Sequence, residues 1–318
     1  MPSARLKSSF IYLANAVNDL RANYLALAVA LAPLVLLTSI CLLPSALNLQ
    51  HAVAEHFAPG TRHVGWLLTQ EPYAPAADET PPLFGWWTLF FLGLLALLLT
   101  ASGFLVVMCS LRRTLSGNAL PDRPAEALAT WREAIGFAPA FGWIVLLQLA
   151  PPIFAWIISH IYIFGTFWWL AVAFYLVQLG LLILGGLWFL WLYFAGYALV
   201  FDNYHGFHAL LFSRDLLRKR FFRVAMRIIV FLAVWSGYYS WTGFAFFLMS
   251  WILGPVSLAT GYFWGVFFAV ELAGVAVTFI MIAFFVTAGH RLYRDLVEIA
   301  GQSASGATGI AIATATHQ

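Results

Sequence analysis

Charge is what this sequence has least of. Its 318 residues include 16 Lys and Arg and 13 Asp and Glu, 9% together, against about 25% in a soluble globular domain. So thin a polar supply excludes a soluble enzyme and a disordered chain, because both depend on charged residues to stay solvated. Cysteine is nearly absent too. Cys41 and Cys109 are the only two, which excludes a disulfide scaffold. They fall near opposite ends of their predicted helices, so no bridge between them is expected. Neither sign of charge prevails: a formal net charge of +3 is too small to argue for a nucleic-acid partner. No P-loop, GxGxxG turn, CxxC pair or Ser-His-Asp arrangement appears. The chain is therefore expected not to be an enzyme and to need no cofactor.

Apolar residues fill the space that charge leaves. Hydrophobic residues make up 63% of the chain and aromatics 17%, with a mean hydropathy of +0.87, which points to a polytopic membrane protein. Runs long enough to cross ~30 Å of hydrocarbon, about 20 helical residues each, occur six times. They lie near 22–46, 86–110, 137–160, 167–200, 228–253 and 262–288. The runs are continuous rather than alternating, so they are helices and not barrel strands. The expected fold class is all-α, a membrane domain over 1–298 with six transmembrane helices in three hairpins. The fourth run exceeds one straight crossing and is expected to tilt, to bend at Gly185-Gly186 or to project past the membrane on one side.

The basic residues orient these spans. With the N-terminus inside, Arg5, Lys7 and Arg21 precede the first helix, and Arg112, Arg113, Arg123 and Arg132 share one inner loop. Arg214, Arg218, Lys219, Arg220, Arg223 and Arg227 share the next, and Arg291 and Arg294 follow the last helix. Only Arg62 is left outside. The positive-inside rule then places both termini in the cytoplasm.

The one sizeable outer loop, 47–85, has a Pro-rich half, EPYAPAADETPP, expected to lack regular structure. Residues 299–318, small and rich in Gly, Ala and Thr, read as a flexible cytoplasmic tail. The first apolar run is far longer than the 7–15 residues of a signal-peptide core, so it reads as an uncleaved signal-anchor. Trp66, Trp86, Trp87, Trp168, Trp169, Trp241 and Trp264 sit where an aromatic belt would lie.

Three of the spans follow a short amphipathic stretch. Leu6, Phe10, Leu13, Val17 and Leu20 recur at helical spacing in the first. ALATWREAI (127–135) and ALLFSRDLL (209–217) superimpose, with Ala127 on Ala209, Arg132 on Arg214, Glu133 on Asp215 and Ile135 on Leu217. The implied repeat unit is a cytoplasmic interfacial helix followed by a two-helix hairpin. Such a helix lies in the headgroup layer with its basic residues toward anionic lipid.

The stretch ALVFDNYHGFHALLFSRDLLRKRFFRVAMRIIVFLAVW (198–235) resembles the glycerophosphoryl diester phosphodiesterase membrane-domain family and related six-helix bacterial membrane proteins. In that family a helix ends in an acidic residue and a small-residue turn follows. An Ala-x-x-x-Ser helix then leads to an aromatic residue and the next span. Asp202, Gly206, Ala209, Ser213 and Phe222 occupy those places. LRRTLSGNALPDRPAEALATW (111–131) is similar to the earlier inner loop, with Gly117, Ala127 and Trp131 in register, and RLYRDL (291–296) to the closing basic sequence. Six spans and their loops take up all 318 residues, leaving no room for the namesake's catalytic barrel. The resemblance therefore implies a membrane module without the phosphodiesterase reaction; it carries a fold rather than a chemistry.

Glu271, near the middle of the sixth span, is the sharpest single residue. A charged carboxylate at mid-bilayer costs several kcal/mol, and no other span offers a basic partner. It reads either as a proton- or substrate-handling group facing a cavity beside Gln148 or Gln178, or as a packing residue hydrogen-bonded to a neighbouring helix. His51, His56 and His63 with Glu55 match no standard zinc spacing. Asp202, His205 and His208 form an imaginable two-His-one-carboxylate set, but helix-end and turn roles explain Asp202 better. No metal is expected. Pro151-Pro152 should kink the third span, and Gly261 and Gly265 permit close helix contact. The basic run from Arg214 to Arg227 suits anionic headgroups and equally serves ordinary topology control.

The function expected is thus non-enzymatic: engaging membrane lipids or supporting a membrane complex with a protein partner. The alternative is a small secondary transporter or permease built on Glu271. An intramembrane or metal-dependent enzyme comes third.

Overall fold

A computed structural model describes residues 6–57, 84–117, 123–160, 168–260 and 263–315. Over these residues the chain is all-helical, with no strand. The helices are α1 (Ser9–Phe57), α2 (Trp86–Leu115), α3 (Arg123–His160), α4 (Trp168–Leu192), α5 (Ala195–Asp202), α6 (Phe207–Arg218), α7 (Phe221–Thr260) and α8 (Phe263–Ala315). Six segments are long and apolar enough to cross a membrane: Ser9–Ser45, Trp87–Leu115, Arg123–Pro151, Leu176–Asp202, Phe221–Ala245 and Phe268–Gly301. Their outward faces carry large apolar side chains, such as Phe90, Phe91, Leu97 and Leu98 on α2. An apolar solvent accepts such faces and water does not.

Several helices outrun their apolar runs. α1 has 49 residues and α8 has 53, lengths of about 75 and 80 Å at 1.5 Å per residue, more than twice a hydrocarbon core. The amphipathic stretches before the first and third spans belong to these long rods: α1 and α3 run through them without a break. Only the third, α6, is a helix of its own. α8 likewise continues to Ala315, across the residues whose composition reads as a tail. α3 passes through Pro151-Pro152, and the outer-loop residues 58–83 lie outside the described residues.

The fourth span is interrupted, but not at its glycine pair. α4 runs unbroken through Gly185-Gly186 and stops at Leu192; α5 begins at Ala195. The break falls where side chains can take over the freed backbone groups. The Ser213 hydroxyl donates to the Trp191 carbonyl at 2.7 Å and accepts the Phe194 N–H at 3.3 Å. The Gln148 amide donates to the Leu192 carbonyl at 2.5 Å. Gly185-Gly186 has no such substitutes among the described residues, and in an apolar surrounding an unsatisfied peptide group costs more than glycine's loose backbone gains.

The chain forms two compact units. The first comprises Met1–Ala26, Leu105–Leu232 and Phe284–Gln318, the second Leu27–Phe104 and Ala233–Ala283. In the first unit α5 is the centre: Ala195, Ala198, Leu199 and Val200 are fully buried. Around it Tyr193, Phe194, Tyr197, Phe201 and Tyr293 form a chain of ring contacts with centroids 5.1–6.3 Å apart. Gly289 of α8 makes this possible, since a Cβ there would overlap the Tyr197 hydroxyl. In the second unit Leu27, Leu31, Leu34, Ala96, Val275 and Phe279 are buried. Gly103 lies so close to the Phe279 ring that a Cβ would collide with it, the small-residue contact typical of helices packed in lipid.

Candidate functional site

The basic run expected to meet headgroups lies on α6, the turn after it and the start of α7. α6 buries Ala209, Leu210, Ser213, Leu216 and Leu217. Its opposite side leaves Phe207, Leu211, Arg214 and Arg218 exposed, spaced four, three and four residues apart and so aligned in one stripe. Lys219 and Arg223 are exposed as well, and Arg220 is half-buried. Beside them Phe222 is 82% exposed and Phe207 68%. Among the described residues Arg214 has only its neighbour Asp215 as a partner, at 3.3 Å with both side chains largely exposed. Arg227 differs from the other five. Its guanidinium donates to the carbonyls of Leu6, Lys7 and Arg223 at 3.0, 2.9 and 2.5 Å, so it ties the chain ahead of α1 to α7 rather than facing outward.

Most of the positions that carry the family resemblance have local structural work. Asp202 ends α5 and accepts a short hydrogen bond from the Tyr293 hydroxyl. Asn203 follows in the left-handed region at φ 57°, and the Tyr204 N–H closes back on the Ala198 carbonyl at 3.1 Å, a helix stop of the Schellman kind. Gly206 has φ 56° and ψ −129° and Gly117 has φ 71°, conformations that favour glycine. Ala209 is fully buried, and Ser213 holds the break described above. Phe222 is the exception, since it points outward.

The intramembrane polar candidates do not share one job. Gln148 is spent on the Leu192 carbonyl, in the first unit. Gln178 is half-buried and makes no hydrogen bond among the described residues. Glu271 belongs to the second unit, half-buried, also with no hydrogen bond or ion pair among the described residues. His205 and His208 are exposed beside Asp202, and no group of three His, Cys, Asp or Glu among the described residues is placed to hold a metal ion. The side chains of His51, Glu55 and His56, all of His63, and the Gly261 and Gly265 pair lie outside what is described.

Two ion-pair clusters were not foreseen. In one, Arg113 grips the buried Glu126 in a fork, with Nε to Oε1 at 2.7 Å and an NH2 group to Oε2 at 3.0 Å. Arg112 meets Glu133 at 3.4 Å and lies 5.4 Å from the centre of the Phe137 ring. This cluster pins the end of α2 to the start of α3. In the other, Arg291 of α8 holds Asp19 of α1 through two bonds of 2.6 Å, and Asp295 accepts the Tyr12 hydroxyl at 2.8 Å. The RLYRDL sequence signals the second cluster only in part, because its partners lie more than 270 residues away. Comparisons with protein-family models, curated proteins and solved structures gave no match.

Proposed function

We propose that this protein is a non-enzymatic integral membrane protein of the bacterial cytoplasmic membrane that engages anionic lipid headgroups, and through them supports a membrane complex. In this reading both termini are cytoplasmic, the spans pair as three hairpins, and α6 lies at the inner interface. The observation that carries it is the exposed edge of α6 and α7, where Arg214, Arg218, Lys219 and Arg223 stand beside the outward-facing Phe207 and Phe222. Basic side chains attract anionic headgroups by about 1 kcal/mol each near the surface, while exposed rings enter the acyl boundary. The likeness of residues 198–235 to the phosphodiesterase membrane-domain family supports the same reading.

Native mass spectrometry of the protein extracted gently from its own membrane tests this proposal. Retained phosphatidylglycerol or cardiolipin, with or without a partner chain, is the expected result. Extraction with neither lipid nor partner, under conditions that leave lipid on a control membrane protein, would count against it.

A second reading, a small secondary transporter, rests on Glu271, a half-buried carboxylate in a span with no described partner. Vesicle flux that is lost in Glu271→Gln favours it, and flux unchanged by that substitution counts heavily against a transporter built on Glu271.

A further inference from the structure

The first unit contains a polar cavity of about 240 Å³ between the start of α1, the end of α2 and residues 290–298 of α8. Most of its charge is already committed. Asp19 is fully engaged by the Arg291 fork, and Asp295 takes the Tyr12 hydroxyl with the Lys7 ammonium 3.7 Å away. Glu298 also has contacts of its own.

Three lining groups are left over. His290 is only 5% exposed, yet no hydrogen bond reaches either ring nitrogen from the described residues. Its ring lies against Phe201 with centroids 4.1 Å apart, so a face is covered and its nitrogens can be met only at the edge. Asn15, half-buried, makes no side-chain hydrogen bond, and Arg294 makes no ion pair among the described residues. Buried polar groups are nearly always satisfied, and one left open beside a cavity asks for something in the cavity.

All three unspent groups can donate, and one is a permanent cation. We infer that this cavity binds a phosphate group, with Arg294 supplying the counter-charge and His290 and Asn15 donating to its oxygens. Donors on two different helices suit a tetrahedral oxyanion better than a carboxylate, whose planar pair of oxygens one guanidinium fork already fills, as Arg291 does for Asp19. The lining balances three cations (Lys7, Arg291, Arg294) against three carboxylates (Asp19, Asp295, Glu298). That balance favours a phosphate of low charge, a mono- or diester, over a polyphosphate. Such a group comes either from a phospholipid headgroup or from a free phosphate ester. The site uses none of the α6–α7 residues and does not depend on their role.

The test uses the full-length protein in detergent, titrated with glycerol 3-phosphate and, separately, analysed by native mass spectrometry with added phosphatidylglycerol. Saturable binding of one molecule of either probe, weakened tenfold or more by Arg294→Gln and less by Arg294→Lys, is the expected result. Binding of glycerol 3-phosphate alone assigns a soluble ester, and binding of the lipid alone assigns a headgroup. Lipid that persists in Arg294→Gln but leaves when Arg218, Lys219 and Arg220 are neutralised sits elsewhere and overturns the inference, as does a folded wild-type protein that binds neither probe. Should Arg294→Gln lose helicity, Asn15→Ala at its half-buried position takes its place. Binding at least threefold weaker supports the site, and unchanged binding refutes it.

Discussion

The two units of this molecule hold their helices together by different means. The segments of the first carry fifteen of the sixteen basic residues and eight of the thirteen acidic ones; those of the second carry Arg62 and five acids. Every ion pair between described residues lies in the first unit, among them the Arg113–Glu126 and Arg291–Asp19 forks. Several hydroxyls of the second unit instead bond back to their own helices, as Ser39 does to Val35 and Thr100 to Ala96, while those of Thr38 and Tyr238 have no partner among the described residues, and helices meet through small residues such as Gly103 against Phe279. Polar cross-links are directional and tolerate water nearby, whereas close packing needs only shape. Charges are tolerated near water and headgroups, and small-residue contact suits helices in hydrocarbon.

The comparison can be broken at both ends. Glu126→Ala should have the largest effect, about 3 kcal/mol, because it removes both bonds of the fork that holds the Arg113 guanidinium. Equilibrium unfolding in detergent measures it, and a loss under 1 kcal/mol would mean the cluster is ornamental. Gly103→Ala should cost about 2 kcal/mol by pushing the Phe279 ring. Combined with Phe279→Leu it should lose less than the two single losses added together, which a double-mutant cycle reads directly. Ser213→Ala should cost about 1.5 kcal/mol, since it frees the Phe194 N–H and the Trp191 carbonyl at the α4–α5 break. Faster amide exchange confined to that break would locate the effect. Asp215→Asn should change stability by less than about 0.5 kcal/mol, as its pair with Arg214 is exposed.

The six apolar segments were legible from run length alone, because hydrocarbon thickness sets a minimum that few other structures meet. The division into two compact units was not, since the sequence reads as one six-helix domain over 1–298. At the turn after α5, Gly206 was legible as a turn residue and its positive φ explains why. The fourth span's interruption was not. The run's excess length suggested a tilt, a bend at Gly185-Gly186 or a projection past the membrane, but the break depends on Ser213 and Gln148, 19 and 44 residues from the Phe194 N–H and the Leu192 carbonyl that they satisfy. No local pattern reports such a partner. The same holds for Arg291 and Asp19, each an ordinary charge near a helix end until folding brings them within 2.6 Å. Arg227 was read as one of six equivalent headgroup ligands, and only its carbonyl partners set it apart.

The central claim is that the outward basic edge of α6 and α7 meets anionic lipid. The most direct test measures binding of the purified protein, in nanodiscs of graded phosphatidylglycerol content, for wild type, for Arg218→Gln/Lys219→Gln/Arg220→Gln and for Glu271→Gln. Loss of three charges should weaken preference for the anionic lipid by about 100-fold at low salt, at roughly 1 kcal/mol each, and Glu271→Gln should leave it unchanged. Equal preference in all three proteins, or a loss confined to Glu271→Gln, would contradict the account.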